Sequence, residues 1–167
     1  MFDATNRRGV TPMYCSNSCK QKAYRARKRR SVFGLDGFKD QRRWVRAVGK
    51  RPIMPDGSPA SSTDSSTWST FGEVWSSTVG DGFGVMLGGG LGCIDIDDCL
   101  DGDRVAPWAR EYIAGITDEV VFVERSVSGR GLHLFFRAPV EGKGEARGVE
   151  RYTCKRFIRT TFDEFVG

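Results

Sequence analysis

Short stretches of alternating or continuous apolar residues predict a series of β-strands in the second half of the chain. Residues 91–97 alternate, so that Ile94 and Ile96 point to one face of a strand and Asp95 and Asp97 to the other. A turn through the preceding glycines would pair residues 84–87 with 91–97 as a hairpin. Further strands are predicted at 119–125 and 132–137, and another at 152–160.

Helical patterns are fewer and shorter. Residues 103–116 form an amphipathic segment with Pro107 in the first turn, and Trp108, Tyr112 and Ile113 fall on its inward face. Strands interleaved with helices predict an α+β fold, or a split βαβ sheet covered on one side.

Two further helical segments are predicted nearer the N-terminus. Polar capping residues at 64–70 introduce a short helix that would bury Trp68, Phe71 and Trp75 in the core. Residues 43–49 are interpreted as the end of a helix that a glycine caps, followed by an extended segment.

Charge divides the chain of 167 residues into two parts. Residues 1–51 hold 15 Lys and Arg against 3 Asp and Glu, a net +12, whereas the remainder carries −7. A basic arm on an acidic domain indicates nucleic acid as a partner. We therefore expect a basic helical arm at 1–32 and one folded domain at 33–167.

Cysteine usage and hydropathy indicate the compartment. The five cysteines are an odd number without disulfide-framework spacing, which is typical of a reducing environment. Because the sequence also shows neither a membrane-spanning apolar run nor the apolar core of a signal peptide, we expect a cytoplasmic protein with no membrane partner.

The first candidate site is the Asp95–Asp97 pair, which follows a glycine-rich bend. Two carboxylates on one strand face repel each other unless a cation lies between them. Hard oxygen ligands of this kind suit Mg²⁺ or Mn²⁺, with phosphates completing the coordination shell. The alternative is an acidic strand end that is simply exposed to water.

The second candidate site is the loop at 126–131 and the strand that follows it. Its small hydroxyls and glycines could direct N–H groups at an anion, and a guanidinium adds charge. His133, the single histidine of the chain, falls on the strand face opposite the apolar one. The loop residues proposed to bind such an anion, for example a phosphate group, are Ser126, Ser128, Gly129, Arg130 and Gly131.

The N-terminal arm contains Cys15 and Cys19 ahead of a basic helix-forming stretch. This segment resembles the C-terminal half of small treble-clef zinc fingers, but two thiolates cannot close a tetrahedral zinc site. We therefore expect zinc to bind weakly or not at all, and two free thiols are the simpler interpretation. We expect the missing C-x2-C pair to be encoded just upstream, in frame.

An ordered set of short motifs gives a more specific resemblance. Over about residues 40–167 the chain resembles the bifunctional primase–polymerase domain of phages and plasmids, a member of the archaeo-eukaryotic primase superfamily. The motifs that carry it are Lys50-Arg51-Pro52, Thr67-Trp68, Gly82-Phe83-Gly84, Cys93 to Cys99, Ser126 to His133, Glu150-Arg151-Tyr152 and Arg156-Phe157-Ile158.

The resemblance implies a fold and a set of site residues. The fold would be an antiparallel sheet like that of RNA-recognition motifs, with helices and an N-terminal α/β portion. Asp95 and Asp97 match the family's metal ligands, and Glu150 best matches the third acidic residue, with Glu124 as its rival. His133 matches the histidine expected to contact the nucleotide's phosphates, and Lys50 and Arg156 are further candidates for binding the nucleotide.

The activity implied is synthesis or extension of a primer on a DNA template from nucleoside triphosphates, with two Mg²⁺ or Mn²⁺ ions. A separately encoded helicase would be a further partner. Relatives continue beyond the position of Gly167, so we expect a domain truncated at its C-terminus. The alternative hypothesis is a truncated, non-catalytic fragment that binds nucleic acid through its basic arm.

Overall fold

The structure, a computed structural model, describes residues 33–139, 142–146 and 148–166. The predicted basic arm at 1–32, with Cys15 and Cys19, lies outside these residues. Eleven strands are described: β1 (Trp44–Val48), β2 (Arg51–Ile53), β3 (Gly82–Met86), β4 (Leu91–Ile96), β5 (Leu100–Asp101), β6 (Arg104–Val105), β7 (Val120–Arg125), β8 (Leu132–Arg137), β9 (Lys143–Ala146), β10 (Val149–Tyr152) and β11 (Phe157–Thr160).

The strands form two main antiparallel sheets and a small ribbon. The first sheet has the order β11-β3-β1-β2, the second has the order β7-β8-β4-β10-β9, and β5 pairs with β6. Four short helices accompany them, namely 3₁₀ helices at Phe33–Phe38 and Ser65–Thr67 and α-helices α1 (Phe71–Ser76) and α2 (Pro107–Ala114). The predicted α+β class is thereby confirmed.

Within the residues that the structure describes, none of the helices has both the length and the apolar character needed to cross a membrane.

The second sheet contains the split βαβ connection that the sequence predicted. Strand β8 lies between β4 and β7 and is antiparallel to both, so β4 and β7 run parallel to each other. Helix α2 lies in the crossover between these two strands, and Pro107 begins it, as expected for the first turn.

The second sheet is buried on both faces, because alternate residues of its central strands belong to two different cores. Cys93 and Phe135 face a core shared with the first sheet, which includes Trp44 and Phe162. The residues on the opposite face of β4 and β8 pack against α2. They are Ile94, Ile96, Leu132, Leu134 and Phe136. The prediction of a sheet covered on one side was therefore wrong.

Residues 43–49, predicted to end a helix, contain strand β1 instead. Trp44 and Val45 are completely buried, and β1 pairs with β2 on one side and β3 on the other. A strand that is buried on both faces shows no alternation of apolar and polar residues. The apolar residues of this segment were therefore assigned the period of a helix instead of that of a strand. Gly49, with φ 57°, begins the β1–β2 turn rather than capping a helix.

The predicted hairpin between residues 84–87 and 91–97 is also wrong. A tight turn is present, since Gly88 and Leu91 exchange backbone hydrogen bonds, but the chain changes sheets there. Strand β3 pairs with β1 and β11, whereas β4 pairs with β8 and β10. The glycine run is therefore the connection between the two sheets.

The predicted helix over residues 64–70 and beyond is present as two pieces. Asp64 caps a 3₁₀ turn, and Thr70 and Glu73 form a capping box at the start of α1. Trp75 and Trp108 are 44% and 43% exposed, so the inward placement predicted for these two side chains was wrong.

Close packing between β3 and β11 gives a test of this arrangement. A Cβ atom on Gly84 would collide with the Phe157 ring and lie 2.9 Å from the Ile158 carbonyl oxygen, which belongs to the backbone and cannot rotate away. We expect Gly84→Ala to lower the free energy of unfolding by about 2 kcal/mol. The matched control is Gly72→Ala, because nothing lies within 4 Å of that Cβ position in α1. Urea denaturation that shows equal stability for both variants would contradict this packing.

Candidate active site

Four polar side chains lie in one row across the second sheet. Glu124 of β7 is directly opposite His133 of β8, His133 is opposite Asp95 of β4, and Asp95 is opposite Glu150 of β10. Directly opposed residues of antiparallel strands project to the same face, so the register alone brings these four side chains together. Asp97, two residues beyond Asp95, extends the acidic group along the chain.

Asp95 lies at the centre of the row and is incompletely satisfied. Its Oδ1 atom is buried and accepts no hydrogen bond from any described residue; His133 Nε2 lies 3.6 Å away, beyond hydrogen-bond distance. Burial raises the pKa of this carboxyl, and the charges of Asp97 and Glu150 add to the increase, while His133 and Arg156 oppose it. The folded protein therefore carries an electrostatic penalty at this position.

His133 is held between two carboxylates. Its Nδ1 atom lies 2.9 Å from Glu124 Oε1, and the residue is 7% exposed. Burial alone would lower the pKa of the imidazole, but the hydrogen bond and charge of Glu124, with the charges of Asp95 and Asp97, raise it overall. The ring is therefore biased towards the protonated form.

A cleft of about 750 Å³ opens above Asp95 and His133. Asp95, Asp97 and His133 line it, and basic side chains from three separate parts of the chain surround the acidic floor. These basic residues are Lys50, Arg130, Lys155, Arg156 and Arg159. Such a distribution suits a ligand that carries both phosphates and an associated cation.

The loop at 126–131 also lines the cleft, through Ser126, Ser128 and Arg130. Its backbone N–H groups are largely committed within the loop: Ser126 donates to Gly131 O, Gly129 to Ser126 O, and Gly131 to Ser126 Oγ. The Arg130 N–H donates to Ser128 Oγ. Contacts from this loop to an anion would therefore come mainly from its side chains.

Gly131 has a packing role in this loop. A Cβ atom there would lie 2.8 Å from the Ile96 carbonyl oxygen and 2.9 Å from Ser126 Oγ. The glycine thus lets the loop approach the end of β4, next to Asp97. Gly129 adopts φ 74°, which a glycine accepts without strain.

The two remaining predicted nucleotide-binding residues both line the cleft, from two separate segments of the chain. Lys50 is in the β1–β2 turn and is exposed. Arg156 stacks over the Tyr152 ring at 4.4 Å, and its Nη2 atom lies 3.9 Å from Glu150 Oε2. Glu150 belongs to the acidic row but is not among the cleft-lining residues.

Three charged cleft residues were missed in the sequence. Asp98 pairs with Arg130 at 2.8 Å, Arg159 pairs with Asp81 at 3.0 Å, and Lys155 adopts φ 52° before β11. Asp98 follows the recognised pair directly and could have been included. Lys155 and Arg159 reach the cleft only because β11 joins the first sheet beside β3, which no local pattern shows.

The acidic residues fit a divalent cation in part. The buried, unpartnered Asp95 Oδ1 and the neighbouring Asp97 carboxylate are the hard donors that such an ion prefers. Among the described residues, however, no three His, Cys, Asp or Glu side chains form a closed metal-binding group. The donor set is therefore compatible with an ion whose shell is completed by ligand phosphates and water.

The two carboxylates considered for a third acidic ligand have different surroundings. Glu124 is 0% exposed, and its Oε2 atom accepts from Thr160 Oγ1 at 2.5 Å, Thr161 N at 3.1 Å and Phe162 N at 2.9 Å. Glu150 is half-exposed, and among the described residues its ion-pair partner is Arg156, at the long distance of 3.9 Å. Availability for a metal ion therefore favours Glu150.

The fold and the cleft define a class of α+β proteins with an acidic site under a basic rim. A family model described as Prim-Pol, bifunctional DNA primase/polymerase, N-terminal, matches residues 10–160, and the chain belongs to this family. The resemblance to the primase–polymerase domain is thereby confirmed, and membership of the family implies a nucleotidyltransferase class with DNA and nucleotides as substrates. No curated protein matches the chain significantly.

The raised pKa of Asp95 predicts how stability depends on pH without metal. The folded state binds this proton more tightly than the unfolded chain, so the ionised carboxyl destabilises the fold at neutral pH. Asp95→Asn should raise the melting temperature at pH 7 in EDTA, by roughly 2–4 °C for each kcal/mol relieved. The gain should disappear below about pH 4, where the carboxyl is protonated in both states. A gain that persists unchanged at pH 3 would contradict this assignment.

Proposed function

We propose that this chain is a metal-dependent nucleotidyltransferase that synthesises or extends a primer on a DNA template. The observation that carries the proposal is the row Glu124–His133–Asp95–Glu150, with Asp97 beside it, under a cleft with a basic rim. Family membership supports the reaction class.

Asp95 and Asp97, with Glu150, are the residues that would hold Mg²⁺ or Mn²⁺. Divalent ions bound there would supply activation of a primer hydroxyl and neutralisation of charge on the transferring phosphate. The protein's own contribution is to fix the carboxylates on adjacent strands, where the sheet register permits little movement.

The basic side chains of the cleft would bind the triphosphate. His133 faces the cleft beside Asp95 and can donate to a phosphate oxygen while it is protonated. Arg130 and Arg156 flank it on the loop and at the start of β11. Both guanidiniums already have carboxylate partners, so an incoming phosphate would compete with Asp98 and Glu150 for them.

The β1–β2 turn is the proposed approach for the DNA template. Lys50 and Arg51 are exposed there, and Lys50 lines the cleft. Phosphate contacts of this kind should make template binding weaken steeply as the salt concentration rises.

Asp97→Asn tests whether the acidic group is catalytic. The substitution removes a hard ligand without removing packing, because Asp97 is exposed. We expect nucleotide incorporation with Mn²⁺ and a primed template to fall by about a hundredfold or more, while the fold and DNA affinity are retained. Asp101→Asn, an exposed change on β5 outside the cleft, is the matched control.

The same assay tests the alternative hypothesis of a non-catalytic fragment. If the wild-type chain binds DNA but incorporates no nucleotide with either metal, and if Asp97→Asn leaves DNA binding unchanged, the alternative is supported. Extension by Asp97→Asn at the wild-type rate would remove this residue from the proposed site.

His133→Ala tests the phosphate contact. Loss of a charge-assisted hydrogen bond should weaken nucleoside triphosphate binding by about 1–3 kcal/mol, measured by titration with a fluorescent nucleotide. DNA affinity should not change, which is the internal control. A large loss of folding stability with normal nucleotide affinity would instead show that the histidine has a purely structural role.

A further inference from the structure

Glu124 is the most deeply buried charged residue described, and the proposed reaction gives it no task. It is 0% exposed, and none of its atoms lines the cleft. Burying a carboxylate is expensive unless hydrogen bonds compensate it. The hydrogen-bond partners of Glu124 must therefore offset the cost of burying its charge.

The two carboxylate oxygens have different partners. Three donors converge on Oε2, from the Thr160 hydroxyl and the Thr161 and Phe162 amides. Oε1 is left to face His133 Nδ1 at 2.9 Å. Because the three donors fix the carboxylate in place, Oε1 is a rigid acceptor beside the imidazole.

We propose that Glu124 is a positioning residue that holds the His133 proton on Nδ1 and directs Nε2 towards the cleft. A neutral ring has one N–H donor and one bare nitrogen. A bare Nδ1 would place its lone pair 2.9 Å from a carboxylate oxygen, whereas a bare Nε2 faces Asp95 Oδ1 at the longer distance of 3.6 Å. The Nδ1–H tautomer is therefore the one that the surroundings favour.

The consequence for the site rests on the proposed function. With the ring orientation fixed by Glu124, the Nε2 side of His133 stays beside Asp95, where a triphosphate would lie. Glu124 would thus act on the nucleotide only through His133. It is not placed as the third metal ligand, the role for which the sequence made it a rival of Glu150.

Glu124→Gln should invert the tautomer. A glutamine side chain has one oxygen and one NH₂ group. The three donors at the Oε2 position attract the oxygen, so the NH₂ group turns towards His133 Nδ1. That nitrogen must then accept, and the neutral ring carries its proton on Nε2.

Because His133 is the only histidine in the chain, NMR can read its tautomer without assignment ambiguity. Long-range ¹H–¹⁵N spectra of the full chain in EDTA, at a pH where the ring is neutral, should show the Nδ1–H form in the wild type. Glu124→Gln should show the Nε2–H form. Glu119→Gln, an exposed residue paired with Arg137 just before β7, is the matched control and should resemble the wild type.

The wild-type spectrum alone can overturn the proposal. An Nε2–H tautomer in the wild type would do so, as would an unchanged tautomer in a folded Glu124→Gln variant. If Glu124→Gln does not fold, the wild-type spectrum still tests the proposal, because it shows whether the ring beside Glu124 carries its proton on Nδ1 or on Nε2.

Kinetics provide the second readout. A glutamine NH₂ group cannot accept from Nδ1–H, so Glu124→Gln disfavours the ring that is protonated on both nitrogens, and the Nε2–H donor to the phosphate loses its charge assistance. Glu124→Gln should therefore raise the KM for the nucleotide by about tenfold, with a smaller effect on kcat, and should have no further effect in a His133→Ala background. An equal effect in that background would show that Glu124 acts by another route and would overturn the proposal. A wild-type chain that makes no primers but shows the expected tautomers would refute the proposed function and leave the positioning role intact.

Discussion

The arrangement of the site depends on the hydrogen bonds of the buried Glu124 carboxylate. Its Oε2 atom accepts from Thr160, at the end of β11 in the first sheet, while Oε1 contacts His133 of the second sheet. One side chain therefore joins both sheets beneath the cleft. Replacing it by an apolar residue would leave the Thr161 and Phe162 amides without this acceptor, which typically destabilises a fold strongly.

Asp95 shows the opposite balance. Burial and like charge raise the pKa of Asp95, and its Oδ1 has no hydrogen-bond partner among the described residues. Glu124 is compensated by four contacts, whereas Asp95 is not. The difference separates two kinds of buried carboxylate on either side of β8: one that maintains the structure and one whose unfavourable surroundings a bound cation would relieve.

The sequence predicted those parts of the fold that a local pattern encodes. The predicted bounds of β4, β7 and β8 lie within about one residue of the observed ones. These strands could be predicted because apolar and polar residues alternate along them and turn residues flank them. The same period of two placed Asp95, Asp97 and His133 on their faces. Strand β1 was misread because its residues are buried on both sides, and the β3–β4 hairpin was misread because pairing partners are set by distant strands.

The role of Glu124 lay beyond any local pattern for the same reason. Its contacts depend on the register between β7 and β8 and on residues 36 to 38 positions further along the chain. The row also explains why an acidic floor and a basic rim occur together. A cation on Asp95 and Asp97 would remove the repulsion that these carboxylates exert on a triphosphate, while Arg130 and Arg156 would hold that triphosphate near the cation. Each ligand would therefore strengthen the binding of the other, and neither charge pattern would be sufficient alone.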